Sequence, residues 1–310
     1  MLLARQRFKI RSRRASLYFV STRPISNSAK QCNKSEIHKG SLPAASKRPP
    51  FNPAPAFRLT EPPNPHWKYG EGYSASAGAD EWAKGEEAGW KSMDTSTMAL
   101  RDIYPLMISG IVPRPIAFVS SLSASGVPNL APFSYFSMIS HNPPLISVSF
   151  LHPPHKEKDT SENIRATKGF TVNIISEPFV SNANFTSIDA PEDVDEWVGS
   201  GLTTVPSTIV TPPRVRESAF SMECELFHLH DITPPGSSQI TGTLVLGHVR
   251  MFHVRNSILN EKGTVETAKL RPVSRLGGLT YGRIGDSFDL PRLSWKKEKD
   301  AVERLMKEKQ

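Results

Sequence analysis

Between residues 110 and 136 the chain reads GIVPRPIAFVSSLSASGVPNLAPFSYF, an apolar–polar alternation that turns at SASG and then alternates again. A period of two predicts strands, and a turn of small residues between two such runs predicts a β-hairpin. The second arm is unusual. Asn129, Ser134 and Tyr135 sit among its apolar positions, and prolines stand at 113, 115, 128 and 132. One account of so many polar and proline residues close to a core is that one side of the hairpin faces a ligand.

The same patterning continues downstream. Strand one is expected near RPIAFVSSL, strand two near NLAPFSYFSMIS and strand three at LISVSFL, where Ile146, Val148 and Phe150 share a face opposite Ser147 and Ser149. DTSENIRATKG reads as a compact helix, capped by Asp159 or Thr160 and ended by Gly169. GFTVNIIS is a fourth strand, and a helical stretch follows around EPFVSNANFTSI. PPRVRESAFSMECELFHLHDI and QITGTLVLGHVRMFHV are two long strands, joined by a loop containing TPPGSS. MALRDIYPLMIS, residues 98–109, suits a short helix or a packed segment leading into the hairpin. WKKEKDAVERLMKEKQ reads as a solvated helix. Six or more strands with few helices predict a mainly β protein whose sheet closes into a barrel, since closure removes exposed edges.

Composition narrows the class. The net charge of +8 invites a nucleic-acid reading, but residues 1–35 hold nine Lys or Arg and no acid, leaving 29 basic against 30 acidic residues in the remainder. The basicity belongs to the leader and not to a binding groove. An Arg- and Ser-rich, acid-free leader marks an organelle presequence, here expected to be mitochondrial; a disordered basic tail, and hence a cytoplasmic protein, is the plainer reading. Residues 36–97 are expected to be a Pro/Gly-rich linker and extension. No run approaches the ~18 apolar residues that span a membrane. Cys224, which shares a strand face with Met222 and Leu226, reads as a core thiol.

Several chemistries lack their signature. There is no Walker loop and no Gly-x-Ser-x-Gly elbow, and LGGLTYGRIG lacks the dinucleotide-fold spacing. His152 and His155 flank two prolines, which oppose the helix that a metal pair would need. The strongest constellation is the hairpin, then the serines of strand three, then HKEKDTSENI. Lys158, Asp159 and Thr160 stand at a helix start, where free N–H groups and the positive end of the dipole accommodate a phosphate. An ordinary cap with a solvated lysine is the structural alternative. Ser147, Ser134 and Asn129 admit two readings equally: the wet face of a strand, or room left for a flat ligand.

In combination, VPRPIAFVSS…GVPNLAPFSYFSMISHNPPLISVSF…KDTSENIRATKGFTVNII, TPPRVRESAFSMECEL and LRPVSRLGGLTYGRIG…FDLPR resemble the flavin reductase-like family over about residues 100–292. The resemblance implies a six-stranded antiparallel split β-barrel of Greek-key type with flanking helices, spanning 98–293, followed by a charged tail at 294–310. It also implies a homodimer with FMN at the subunit interface and NAD(P)H as electron donor. By the resemblance, Phe118, Val119 and Ser120, then Ser134, Tyr135 and Phe136, approach the ring or ribityl chain. Ser147, Lys158, Asp159 and Thr160 fall near the phosphate end, Asn129, Asn163 and Asn173 are further candidates, and Tyr281 and Arg283 reach the ring or nicotinamide side. No catalytic acid or base is implied, because hydride passes between stacked rings. Some relatives hand reduced flavin to a partner oxygenase. A non-enzymatic flavin- or haem-binding carrier or sensor on the same barrel, and an oxidase of the pyridoxamine-phosphate type, are the rival readings.

Overall fold

The computed structural model describes residues 48–154, 156–189 and 194–308. The expected presequence and His155 lie outside them. The chain divides into two units, Met1–Asn52 and Pro53–Gln310, and the second holds the sheet and its helices.

Seven strands form the main sheet: β1 (Ala117–Leu122), β2 (Pro128–Phe133), β3 (Phe136–His141), β4 (Pro144–Leu151), β5 (Gly169–Asn173), β6 (Phe220–Ile232) and β7 (Gly242–Val254). Their order is β2-β1-β5-β6-β7-β4-β3, and every pairing is antiparallel. The expectation of six strands is corrected by one. NLAPFSYFSMIS is two strands, broken at Ser134–Tyr135, and those two strands lie at opposite ends of the sheet order. Three Cα steps span at most about 11 Å, so the sheet must curl until its two edges nearly meet. No ladder joins β2 to β3, so the barrel is split there instead of closed. The prolines now have a reason. Pro128 and Pro132 lie on the edge strand β2, opposite Leu122 and Phe118, where a missing N–H disrupts no second ladder.

Two apolar clusters hold the sheet. Ala117, Val119, Phe150, Phe170, Val172, Cys224 and Val245 form the first with Ile164, which comes from α2 (Asp159–Thr167). Ile116, Phe118, Leu130, Ile175 and Trp197 form the second, beneath α3 (Val180–Phe185) and α4 (Glu196–Ser200). Strand β1 is therefore buried on both faces; each fully buried Val or Phe contributes about 1.5–3 kcal/mol. Gly247 of β7 permits a close approach: a Cβ there would lie 2.5 Å from the buried Phe170 ring.

Helix α2 differs at both ends from expectation. Lys158, not Asp159 or Thr160, occupies the cap position, and among the described residues no side chain caps the first turn. The helix ends on Lys168 in the left-handed region (φ 65°) and not on Gly169. Gly169 already belongs to β5, where a Cβ would stand 3.3 Å from Val210. Before the barrel, α1 runs over Leu100–Gly110 as expected. The proline-rich stretch read as linker contributes a strand, Arg58–Thr60, that pairs in parallel with Asp286–Phe288 and is tied by an Arg58–Asp286 ion pair at 2.6 Å. The C-terminal helix, Trp295–Glu308, buries none of its residues.

Candidate functional site

Four polar side chains meet beside the start of α2. Asn129 donates to Thr160 Oγ1 at 2.8 Å and to Ser121 Oγ at 3.3 Å, and Asn163 donates to the same Ser121 oxygen at 3.1 Å. The structure thus brings together Asn129, Thr160 and Asn163, three of the residues singled out from the sequence. Their common neighbour, Ser121, was missed. Alternation puts the two serines on opposite faces but does not choose between them: Ser121 shares the parity of Ala117 and Val119, whose face carries α2, while Ser120 points with Ile116 and Phe118 into the second cluster. Ser120 is fully buried, and its hydroxyl has no hydrogen-bond partner among the described residues.

A cleft opens over this cluster, lined by Ser123, Asn129, Asp159, Asn163 and Glu196 among others. Its rim is acidic. Burial, with Asp195 and Asp159 nearby, holds the Glu196 carboxyl above the usual range against two backbone hydrogen bonds. Asp159 pairs with Lys156 at 3.1 Å. Lys158 donates its N–H to His152 Nδ1 at 3.2 Å, and among the described residues its ammonium group faces only the almost fully exposed Asp189, at 3.7 Å. An exposed pair of this kind is weak, so the ammonium group is available to a stronger anion. His152 Nε2 lies 2.8 Å from Thr243 Oγ1. Both ring nitrogens are therefore engaged within the protein, and burial lowers the imidazole pKa despite Glu157 and Asp231.

The second locus is the split itself. Ser134 and Tyr135 are half-buried. The Tyr135 carbonyl accepts from Ser149 N at 2.9 Å, but the N–H groups of Ser134 and Tyr135 make no hydrogen bond among the described residues. Behind them lies Arg114, 8% exposed. Its guanidinium donates to the carbonyls of Ile108, Ile111 (2.7 Å) and Leu276 (3.0 Å), and its Nε lies 3.4 Å from Ser134 Oγ. Among the described residues no carboxylate pairs with it. Burial raises the Tyr135 phenol pKa; Tyr104 adds to the rise and Arg114 opposes it. On the strand that follows Tyr135, Met138 is 75% exposed and Ile139 is exposed, and on α1 Tyr104 and Met107 are exposed as well. Phe136 turns inward and packs on the first cluster. Sequence reading overlooked Arg114, because nothing in the string GIVPRPIAF distinguishes a buried cation from a solvated one.

The remaining candidates are dispersed. The side chains of Phe118 and Val119 are core, with no exposed surface. Asn173 is consumed structurally: it donates to Phe118 O and Thr171 Oγ1 and accepts from Val215 N and Ser221 Oγ. Ser147 is half-buried between Ser137 and Leu246 in the ladder. Tyr281 donates to Asn184 Oδ1 at 2.9 Å, and its ring lies under Arg275 at 4.5 Å. Arg283 binds Glu177 at 2.9 Å and Ala54 O at 2.7 Å, and Arg271 binds the same carboxylate at 2.6 Å. That triad ties the segment before the first strand to the glycine-rich segment.

Set beside known proteins, residues 109–274 match the family model described as a flavin reductase like domain. An uncharacterized protein of Halalkalibacterium halodurans is 35% identical over 201 residues, which is 64% of this chain and 95% of that protein. Among solved structures, nitrilotriacetate monooxygenase component B from Bacillus cereus superposes with a TM-score of 0.63 at 36% identity, covering 65% of this chain and 99% of its own. The 2-nitrobenzoate 2-nitroreductase NbaA of Pseudomonas fluorescens does so with a TM-score of 0.58 at 28% identity, covering 66% and 98%.

Proposed function

Because this chain belongs to the flavin reductase-like family, we propose that it binds FMN and that a pyridine nucleotide reduces the bound flavin. The observation that carries this reading is the Ser134–Tyr135 crossing. The N–H groups of two half-buried residues, without partners among the described residues, lie there beside a serine hydroxyl and a buried guanidinium. Backbone N–H groups within a folded protein are nearly always paired, so donors left over at the crossing fit the acceptor-rich edge of a flavin. The Lys158 ammonium group and the free N–H groups opening α2 fit the phosphate end. Bound flavin itself supplies the two-electron acceptor, and no protein acid or base is assigned. The chain binds and orients the flavin.

The exposed Met138, Ile139, Tyr104 and Met107 support a homodimer in which a second copy covers the flavin. The two structural relatives name two outlets for the electrons. One is a component of a monooxygenase and the other a nitroreductase. This chain either delivers reduced flavin to an oxygenase or reduces a substrate directly on bound FMN.

Purified protein is to be examined by absorption spectroscopy and light scattering, and then mixed with FMN and NADH or NADPH. A flavin spectrum, a dimer and nucleotide oxidation that depends on FMN are expected. Bound flavin that neither nucleotide reduces would instead make the protein a carrier.

A further inference from the structure

Arg114 stands out because a fully charged group is buried without an anion among the described residues. Carbonyl dipoles partly offset the cost of removing it from water, and two of them, from Ile108 and Ile111, come from the C-terminal end of α1, where a cation is favoured. Carbonyls solvate the charge but do not neutralise it, so the net positive charge persists in a medium of low dielectric, where it acts strongly. Among the described residues, the one side-chain hydrogen bond of Arg114 is to Ser134 Oγ, at 3.4 Å. A hydroxyl that accepts from the guanidinium has its own proton free to donate. Beside it lie the N–H groups of Ser134 and Tyr135, unpartnered among the described residues. All four groups present positive character at the split.

We propose that Arg114, acting through Ser134, is a positioning residue that makes this site bind reduced flavin more tightly than oxidised flavin. The inference rests on the flavin-binding reading above. Oxidised flavin is neutral in its ring, whereas reduced flavin loses a ring proton near neutral pH and becomes an anion. A fixed buried cation therefore discriminates between the two states, and a merely structural tie for α1 does not.

The test measures FMN affinity in both redox states, by anaerobic titration and by the midpoint potential of the bound flavin. Arg114→Met is expected to lower the preference for reduced FMN about tenfold, equivalent to a fall of about 30 mV for a two-electron couple. Ser134→Ala keeps the guanidinium but removes its link, and should lower the preference severalfold. Arg114→Lys keeps the charge and should retain most of it. If Arg114→Met does not fold, Ser134→Ala decides. An unchanged preference in every folded variant among Arg114→Met and Ser134→Ala, even with reduced thermal stability, would overturn the proposal and leave Arg114 a helix tie. Wild-type protein that binds neither form of FMN would instead overturn the flavin reading, and this inference with it.

Discussion

The His253 imidazole on β7 donates to the Glu223 carboxylate on β6 at 2.6 Å, across the longest pairing in the sheet. Glu223 is fully buried. Burial opposes its charge, but the N–H groups of Thr208, Ile209 and Val210, together with His253, outweigh that and depress its pKa from the ordinary 4.5 to about 2. The carboxylate thus fastens the loop before β6 to the barrel.

The consequence for stability has a definite sign. A depressed pKa contributes stability that is fully present above pH 4.5 and is lost as the pH falls toward 2. At 1.36 kcal/mol per unit this is about 3 kcal/mol. Denaturant unfolding measured at several pH values should show that loss between pH 4.5 and 2. Glu223→Gln should be destabilised by a similar amount at neutral pH and should show a flatter acid profile. Identical profiles for the two proteins would contradict the assignment.

Gly247→Ala should destabilise the barrel by about 1–3 kcal/mol, the usual cost of overpacking a filled core. The added methyl would meet the Phe170 ring at 2.5 Å, and that ring is walled in on all sides. Chemical denaturation checks this: a midpoint equal to that of wild type would show that Phe170 can move.

Lys158→Ala should weaken FMN much more than riboflavin. The phosphate carries about −1.5 to −2 charge at neutral pH, and a hydrogen bond to a charged group contributes about 1.5–3 kcal/mol, or ten- to hundredfold in affinity. Among the described residues the ammonium group is held only by exposed Asp189. Thr160→Ala should have a smaller effect, and part of it should be structural, because Thr160 is buried and bonded to Asn129. Titration with both flavins decides. Equal weakening of the two would make Lys158 structural, and no weakening would leave it a solvated lysine beside a helix start.

The acid-free leader carries its own prediction. Deleting residues 1–35 should leave flavin binding intact and abolish organelle import. A fluorescent fusion of the full chain that stays diffuse in the cytosol would count against a mitochondrial address.

Much of the barrel was legible in the sequence because its determinants are local. Alternation in AFVSSL and LISVSFL, the turn at SASG and the loop containing TPPGSS each depend on a few neighbouring residues, and β1, β4 and the β6–β7 hairpin appear where those patterns place them. Lys158 at a helix start was legible for the same reason. What the string could not decide is where the sheet breaks. NLAPFSYFSMIS reads as one strand with no glycine to mark a break, yet curling brings opposite sheet edges together at Ser134–Tyr135, and only the path of the whole sheet determines that. The choice of Ser121 over Ser120 was likewise tertiary: a shift of one residue exchanges the two faces of a strand, and α2 selects the face. Arg114 is the clearest case. Its partners are carbonyls of residues 108, 111 and 276 and a hydroxyl at 134. A charge becomes consequential only when folding removes its water, and that depends on segments far apart in the chain.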